Sequence, residues 1–69
     1  MPYASIEVLP PQIREHLPQQ AREIYREAFN NAWEEYADSG ERREGIAHRV
    51  AWAAVKRRYL KKGNAWVPL

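Results

Sequence analysis

Two histidines, nine carboxylates and eleven lysines and arginines are the groups with which this 69-residue chain could do chemistry. His48 follows Glu44 by one helical turn, a spacing at which an imidazole and a carboxylate can share a metal ion. No third ligand stands in register with them, so His48 is expected to be structural. His16 has no second ligand at helical spacing in its own segment and is expected at the surface. Glu23, Glu27 and Glu34 form an acidic stripe that could collect a hard cation. A calcium site, however, needs six or more oxygens, usually from a tight loop, whereas a straight helix offers one side only and Arg22 and Arg26 compete. A solvated face accounts for the stripe. No nucleophile stands with a base, and no phosphate loop or metal cluster is present. The expectation is a protein without enzymatic activity, metal or cofactor.

Charge is distributed unevenly along the chain. Residues 1–40 hold three arginines against seven carboxylates, a balance of −4, and residues 41–69 hold eight lysines and arginines against two glutamates, a balance of +6. The two halves could attract each other across a hairpin, or the basic half could meet an acidic partner. Arg49, Lys56, Arg57, Arg58, Lys61 and Lys62 could also contact phosphates, with Tyr59 or Trp66 stacking on bases, which makes a nucleic-acid-binding module the alternative function.

The elements that must position these groups are helical. Pro10 and Pro11 open a short helix that ends near Leu17, because Pro18 pushes the residue before it out of helical geometry. Leu9, Ile13 and Leu17 then share one face, a lid on the core. From Pro18 to about Asp38, Ala21, Ile24, Tyr25, Ala28, Phe29, Ala32, Trp33 and Tyr36 recur at three- and four-residue steps, the strongest helix signal in the chain. Asn30 falls on the polar side of that wheel and is expected at the surface. Ser39-Gly40 marks a turn, and a third helix begins between Glu41 and Gly45, antiparallel to the second.

In the third helix, Ala47, Val50, Ala51, Trp52, Ala54, Val55 and Tyr59 sweep out a broad apolar arc with one narrow wet side. Its alanines allow a close helix approach and Trp52 locks it. The expected core is Phe29, Trp33, Val50, Trp52, Val55 and Tyr59. Gly63 reads as the residue that ends this helix, with Lys61 and Lys62 complementing its dipole. Met1 to Val8 and Asn64 to Leu69 read as extended arms. Tyr3 to Ser5 could pair with Ala65 to Val67 as a tiny two-stranded sheet, or Trp66 could plug a groove. The whole is expected to be one mainly α domain over residues 1–69, a short N-terminal helix plus two long antiparallel helices.

A domain this small buries only about 60% of the surface its unfolded chain exposes. With no cysteine to staple it, three tryptophans and four tyrosines must carry the packing, which suits a reducing cytosol. The N-terminal segment lacks the basic and apolar regions of a signal peptide, and the apolar run VAWAAV is far short of the roughly 20 residues that span a bilayer. A soluble, cytoplasmic, non-membrane-spanning protein is expected. Its candidate partner-binding residues are Lys56, Arg58, Lys62 and Trp66, where anionic groups of a partner would dock. Arg58 lies on the line of Ala47, Ala51 and Ala54. It must therefore reach past the end of the second helix to water, pair with a carboxylate, or border a concave site with Tyr59 and Trp66.

Met1-Pro2-Tyr3, the spaced Leu9-Pro10 and Leu17-Pro18, and Ile24-Tyr25 followed by Ala28-Phe29-Asn30 and Ala32-Trp33 are joined by Tyr36, the block from Ala47 to Lys56, Tyr59 and Trp66. In this order and spacing they resemble the ChaB family over nearly the whole chain. The shortened inter-helix segment, Gly45, and the end in Trp-Val-Pro-Leu depart from the family pattern. The resemblance implies a small, mainly helical cytoplasmic protein that regulates a ChaA-type calcium (sodium, potassium)/proton antiporter through a protein contact. It brings no catalytic residue onto any position of this chain.

Overall fold

The fold was obtained as a computed structural model, which describes residues 2–69; Met1, the first residue of the expected N-terminal arm, lies outside the described residues. In chain order there are a 3-10 turn (Ile6–Val8), helix α1 (Pro11–His16), helix α2 (Gln19–Glu35), a second 3-10 segment (Ala37–Arg42), helix α3 (Arg43–Lys56) and strands β1 (Tyr59–Lys62) and β2 (Ala65–Pro68). The architecture is mainly α, as expected, with one small sheet. None of the described helices is long and apolar enough to cross a membrane.

The two Leu-Pro pairs build the entrance to the helices in the same way. Leu9 and Leu17 are buried and extended, and each precedes a proline that caps the next helix without needing an N–H donor. The carbonyl of each leucine is then held by an arginine five residues on. Arg14 Nε donates to Leu9 O at 2.9 Å, and Arg22 Nε donates to Leu17 O at 2.7 Å. With Ile13 also buried, α1 lays the expected lid on the core.

Helices α2 and α3 run antiparallel, as their contacts prove: Arg43 Nε donates to Trp33 O at 2.6 Å, Phe29 packs on His48, and Tyr25 packs on Trp52. Ala21, Tyr25, Phe29 and Ala32 line α2 at three- and four-residue steps, and Ala47, Ala51 and Val55 face them from α3 at four-residue steps. The methyl side chains let the backbones close on Tyr25 and Phe29, which fill the space between. Phe29, Val55 and Tyr59 are core residues as expected, while Trp33 and Trp52 pack against the core from its margin. Val50, in contrast, is 37% exposed. The apolar arc of α3 is wider than the surface one partner helix can cover, so its Val50 side stays wet.

Three further expectations are corrected. Asn30 is buried, at 7% exposure, because the N-terminal arm covers a second side of α2 that a one-face wheel leaves to water. The arm itself is extended only until Ser5 and then turns through the 3-10 segment; it does not pair with the C-terminus. Helix α3 ends at Lys56, and the small sheet is a local hairpin in which Tyr59 faces Pro68, Leu60 faces Val67, Lys61 faces Trp66 and Lys62 faces Ala65. Its two-residue turn is Gly63-Asn64. Gly63 has φ 59° while Asn64 stays at negative φ, the pattern of a type II′ turn. Leu69 N continues the pairing by donating to Arg58 O at 2.9 Å.

Candidate functional site

The C-terminal hairpin determines what the basic end of the chain can do. In a strand, alternate side chains point to opposite faces, and cross-strand partners share a face. Lys61 therefore stands beside Trp66, and Lys62 stands beside Ala65 on the other face. Trp66 folds back onto α3 and stacks on Trp52, ring centroids 5.6 Å apart and planes 27° apart. Trp52 in turn meets Tyr25 edge-on at 5.1 Å. The stack thus ties the hairpin to the aromatic core.

In front of this indole pair lies an open groove of about 550 Å³. Helix α1 supplies one bank with Gln12, Ile13 and His16, three residues that share a face at steps of one, three and four. Trp52 and Lys56, one turn apart on α3, and Trp66 make the floor and far wall, and Lys61 closes the rim. None of these lining residues carries a carboxylate. Lys56 and Lys61 are exposed, so their ammonium groups remain hydrated and available to an anion.

Of the four residues expected to form a partner site, the structure brings Lys56 and Trp66 together. Lys62 lies on the opposite face of the hairpin, because the segment after Tyr59 alternates with period two and does not turn through 100° per residue. Arg58 lies elsewhere, on a second groove between α2 and α3 with Glu27, Asn31 and Arg57. Its side chain is exposed and makes no ion pair within 4.0 Å among the described residues. Gln12, Ile13, His16, Trp52 and Lys61 are the members sequence reasoning missed. The Gly63-Asn64 dipeptide between two short apolar-containing runs is the hairpin signal that could have placed Lys61 beside Trp66.

Several polar groups outside the groove are engaged within the fold. The Tyr25 hydroxyl and His48 Nδ1 share a hydrogen bond between α2 and α3, with His48 Nε2 3.7 Å from Glu44 Oε1. Burial raises the Tyr25 phenol above its ordinary value of 10.0, with a smaller contribution from Tyr3. Tyr3 is raised as well, by burial first and by the Glu44 carboxylate second. No group of three or more His, Asp or Glu side chains able to hold a metal ion occurs among the described residues. The Arg26–Glu23 ion pair and the His48–Glu44 contact each lie within a single helix, and no ion pair among the described residues joins the acidic half to the basic half. The inter-helix surface is filled by rings and methyl groups, which leaves most of the charges on outer faces.

The chain matches the family model ChaB over residues 9–68. It is 48% identical over 66 residues to a protein of Escherichia coli (strain K12) named "Putative cation transport regulator ChaB", covering 88% of this chain and 87% of the relative; a Shigella flexneri protein of the same name matches equally. An uncharacterized protein encoded in the LEF8-FP intergenic region of Lymantria dispar multicapsid nuclear polyhedrosis virus is 36% identical over 55 residues, covering 80% of this chain and 72% of the relative. An NMR solution structure bearing the same regulator name superposes with a TM-score of 0.88 at 43% identity, covering 99% of both chains.

Proposed function

Because the chain belongs to the ChaB family, we propose that it is a small, non-enzymatic cytoplasmic binding protein that regulates cation transport. In this reading it docks on the cytoplasmic side of a ChaA-type calcium (sodium, potassium)/proton antiporter. The observation that carries the binding part is the groove over the Trp52–Trp66 stack, a concave apolar floor with a cationic rim and no carboxylate. Lys56 and Trp66 are the central contacts; Arg58 and Lys62 lie outside this groove.

The test is an NMR titration of the labelled protein with peptides covering the cytoplasmic segments of the antiporter. Saturable shifts at Lys56 and Trp66 are expected for one segment. Shifts confined to Glu23, Glu27 and Glu34 would move the working surface to the acidic face, and no shifts with any segment would remove the antiporter. Short nucleic acids serve as the control, since a phosphate binder loses affinity log-linearly as salt rises. The fold gives that alternative little help, because Arg57 and Arg58 border the α2/α3 groove, away from Lys56 and Lys61.

A further inference from the structure

The chemistry of the groove narrows its occupant further, in a step that rests on the binding reading above. We infer that the groove between α1 and the hairpin receives a short acidic peptide segment presenting one large apolar side chain. Charge complementarity supplies the first half of the inference. Lys56 and Lys61 stand on the rim with His16 across from them, and no aspartate or glutamate lines the space to neutralise them. An acidic segment is drawn in and a basic one is repelled. The floor supplies the second half. Two stacked indoles and Ile13 form an apolar surface inside the cationic rim, and burying it needs an aliphatic or aromatic anchor as well as carboxylates.

A nucleic acid fits less well. Binding a strand takes a continuous basic track along its backbone, with stacking platforms for successive bases. Here the rim holds two lysines, both indoles are already stacked on each other, and Arg57 and Arg58 lie on the second groove. A peptide needs only what the groove contains, one apolar seat and two cationic neighbours.

The experiment uses the full chain and a blocked hexapeptide carrying three carboxylates around one leucine, followed by NMR and by tryptophan fluorescence. Three control peptides replace the carboxylates by amides, the leucine by glycine, or the carboxylates by lysines. Saturable shifts at Ile13, Trp52, Lys56, Lys61 and Trp66 with the acidic peptide are expected, together with loss of most binding in each control. In Lys56→Gln/Lys61→Gln, two exposed substitutions that leave the fold intact, affinity falls about tenfold. In Lys56→Glu/Lys61→Glu, preference switches to the lysine peptide. Equal binding of the acidic and amide peptides, shifts outside the groove, or no shifts at all overturn the inference. Saturable groove binding of an oligonucleotide or of anionic vesicles in place of the peptide also overturns it and reassigns the surface. Acidic-peptide binding with no response to antiporter segments keeps this inference and removes the antiporter. An antiporter segment that binds unaffected by Lys56→Glu/Lys61→Glu does the reverse.

Discussion

Asn30 holds Tyr3 by both of its backbone groups: Nδ2 donates to Tyr3 O at 2.8 Å, and Oδ1 accepts from Tyr3 N at 3.2 Å. A side-chain amide thus imitates the neighbouring strand that the N-terminal arm lacks, and it seats the Tyr3 ring 4.7 Å from Phe29. Replacing Asn30 by alanine removes both bonds and should cost about 1–3 kcal/mol, since two hydrogen bonds of about 1 kcal/mol each are lost and the arm is freed to water. Chemical denaturation measures the loss, and amide exchange at Tyr3 should accelerate well before that of α2. Unchanged exchange at Tyr3 would show that the ring alone holds the arm.

The Trp52–Trp66 stack should be visible as an energetic coupling. Trp52 touches Tyr25 as well as Trp66, so Trp52→Ala is expected to cost about 2–4 kcal/mol and Trp66→Ala about 1–2 kcal/mol. The double variant should fall short of their sum by about 1 kcal/mol, the range measured for aromatic pairs. Urea melts of the four proteins give the cycle, and additivity within a few tenths would mean the rings touch without stabilising each other.

Alkaline pH should unfold this protein through its buried phenols. The raised Tyr25 and Tyr3 values mean that, above the ordinary phenol value near 10, the unfolded chain has lost protons the native state still holds. Stability is therefore fully present below pH 10 and declines as pH rises above it, with the fully buried Tyr25 contributing up to about 1.4 kcal/mol per pH unit and the more exposed Tyr3 less. Tyr25→Phe should lower stability at pH 7 by about 1 kcal/mol through the lost bond to His48, and should flatten the alkaline decline. An alkaline slope identical to the parent's would place the responsible groups elsewhere.

Two glycines should answer to alanine with opposite signs. Gly45 sits in the first turn of α3 with open space where a Cβ would go, so Gly45→Ala should stabilise by about 0.5–1 kcal/mol through helix propensity and a less flexible unfolded chain. Gly63 has equally open space, but its φ of 59° strains any L side chain, and Gly63→Ala should destabilise by about 1 kcal/mol or more. Thermal melts decide both; a stabilised Gly63→Ala would exclude the type II′ turn.

The sequence by itself determined the helices and their pairing. Proline placement brackets α1 and opens α2, and the steps from Ala21 to Ala32 and from Ala47 to Val55 bury the faces that periodicity assigns to them. These are local properties, written in residues a few positions apart. The period-two hairpin was also written locally, in Gly63-Asn64, but two lysines and a glycine after a helical pattern equally describe a helix end, and propensity alone does not choose. Tertiary structure decided that choice by giving Trp66 a place on Trp52 that only a hairpin can reach. It also buried Asn30, because what covers the second side of α2 comes from residues 27 positions away, and it left Val50 wet, because no element arrives to cover it. A wheel records which side chains prefer to leave water, whereas burial depends on which surfaces meet. For the same reason Lys56 and Trp66 share a groove while Arg58 and Lys62 do not: Arg58 falls on the α2/α3 groove, and the hairpin register turns Lys62 to the face opposite Trp66.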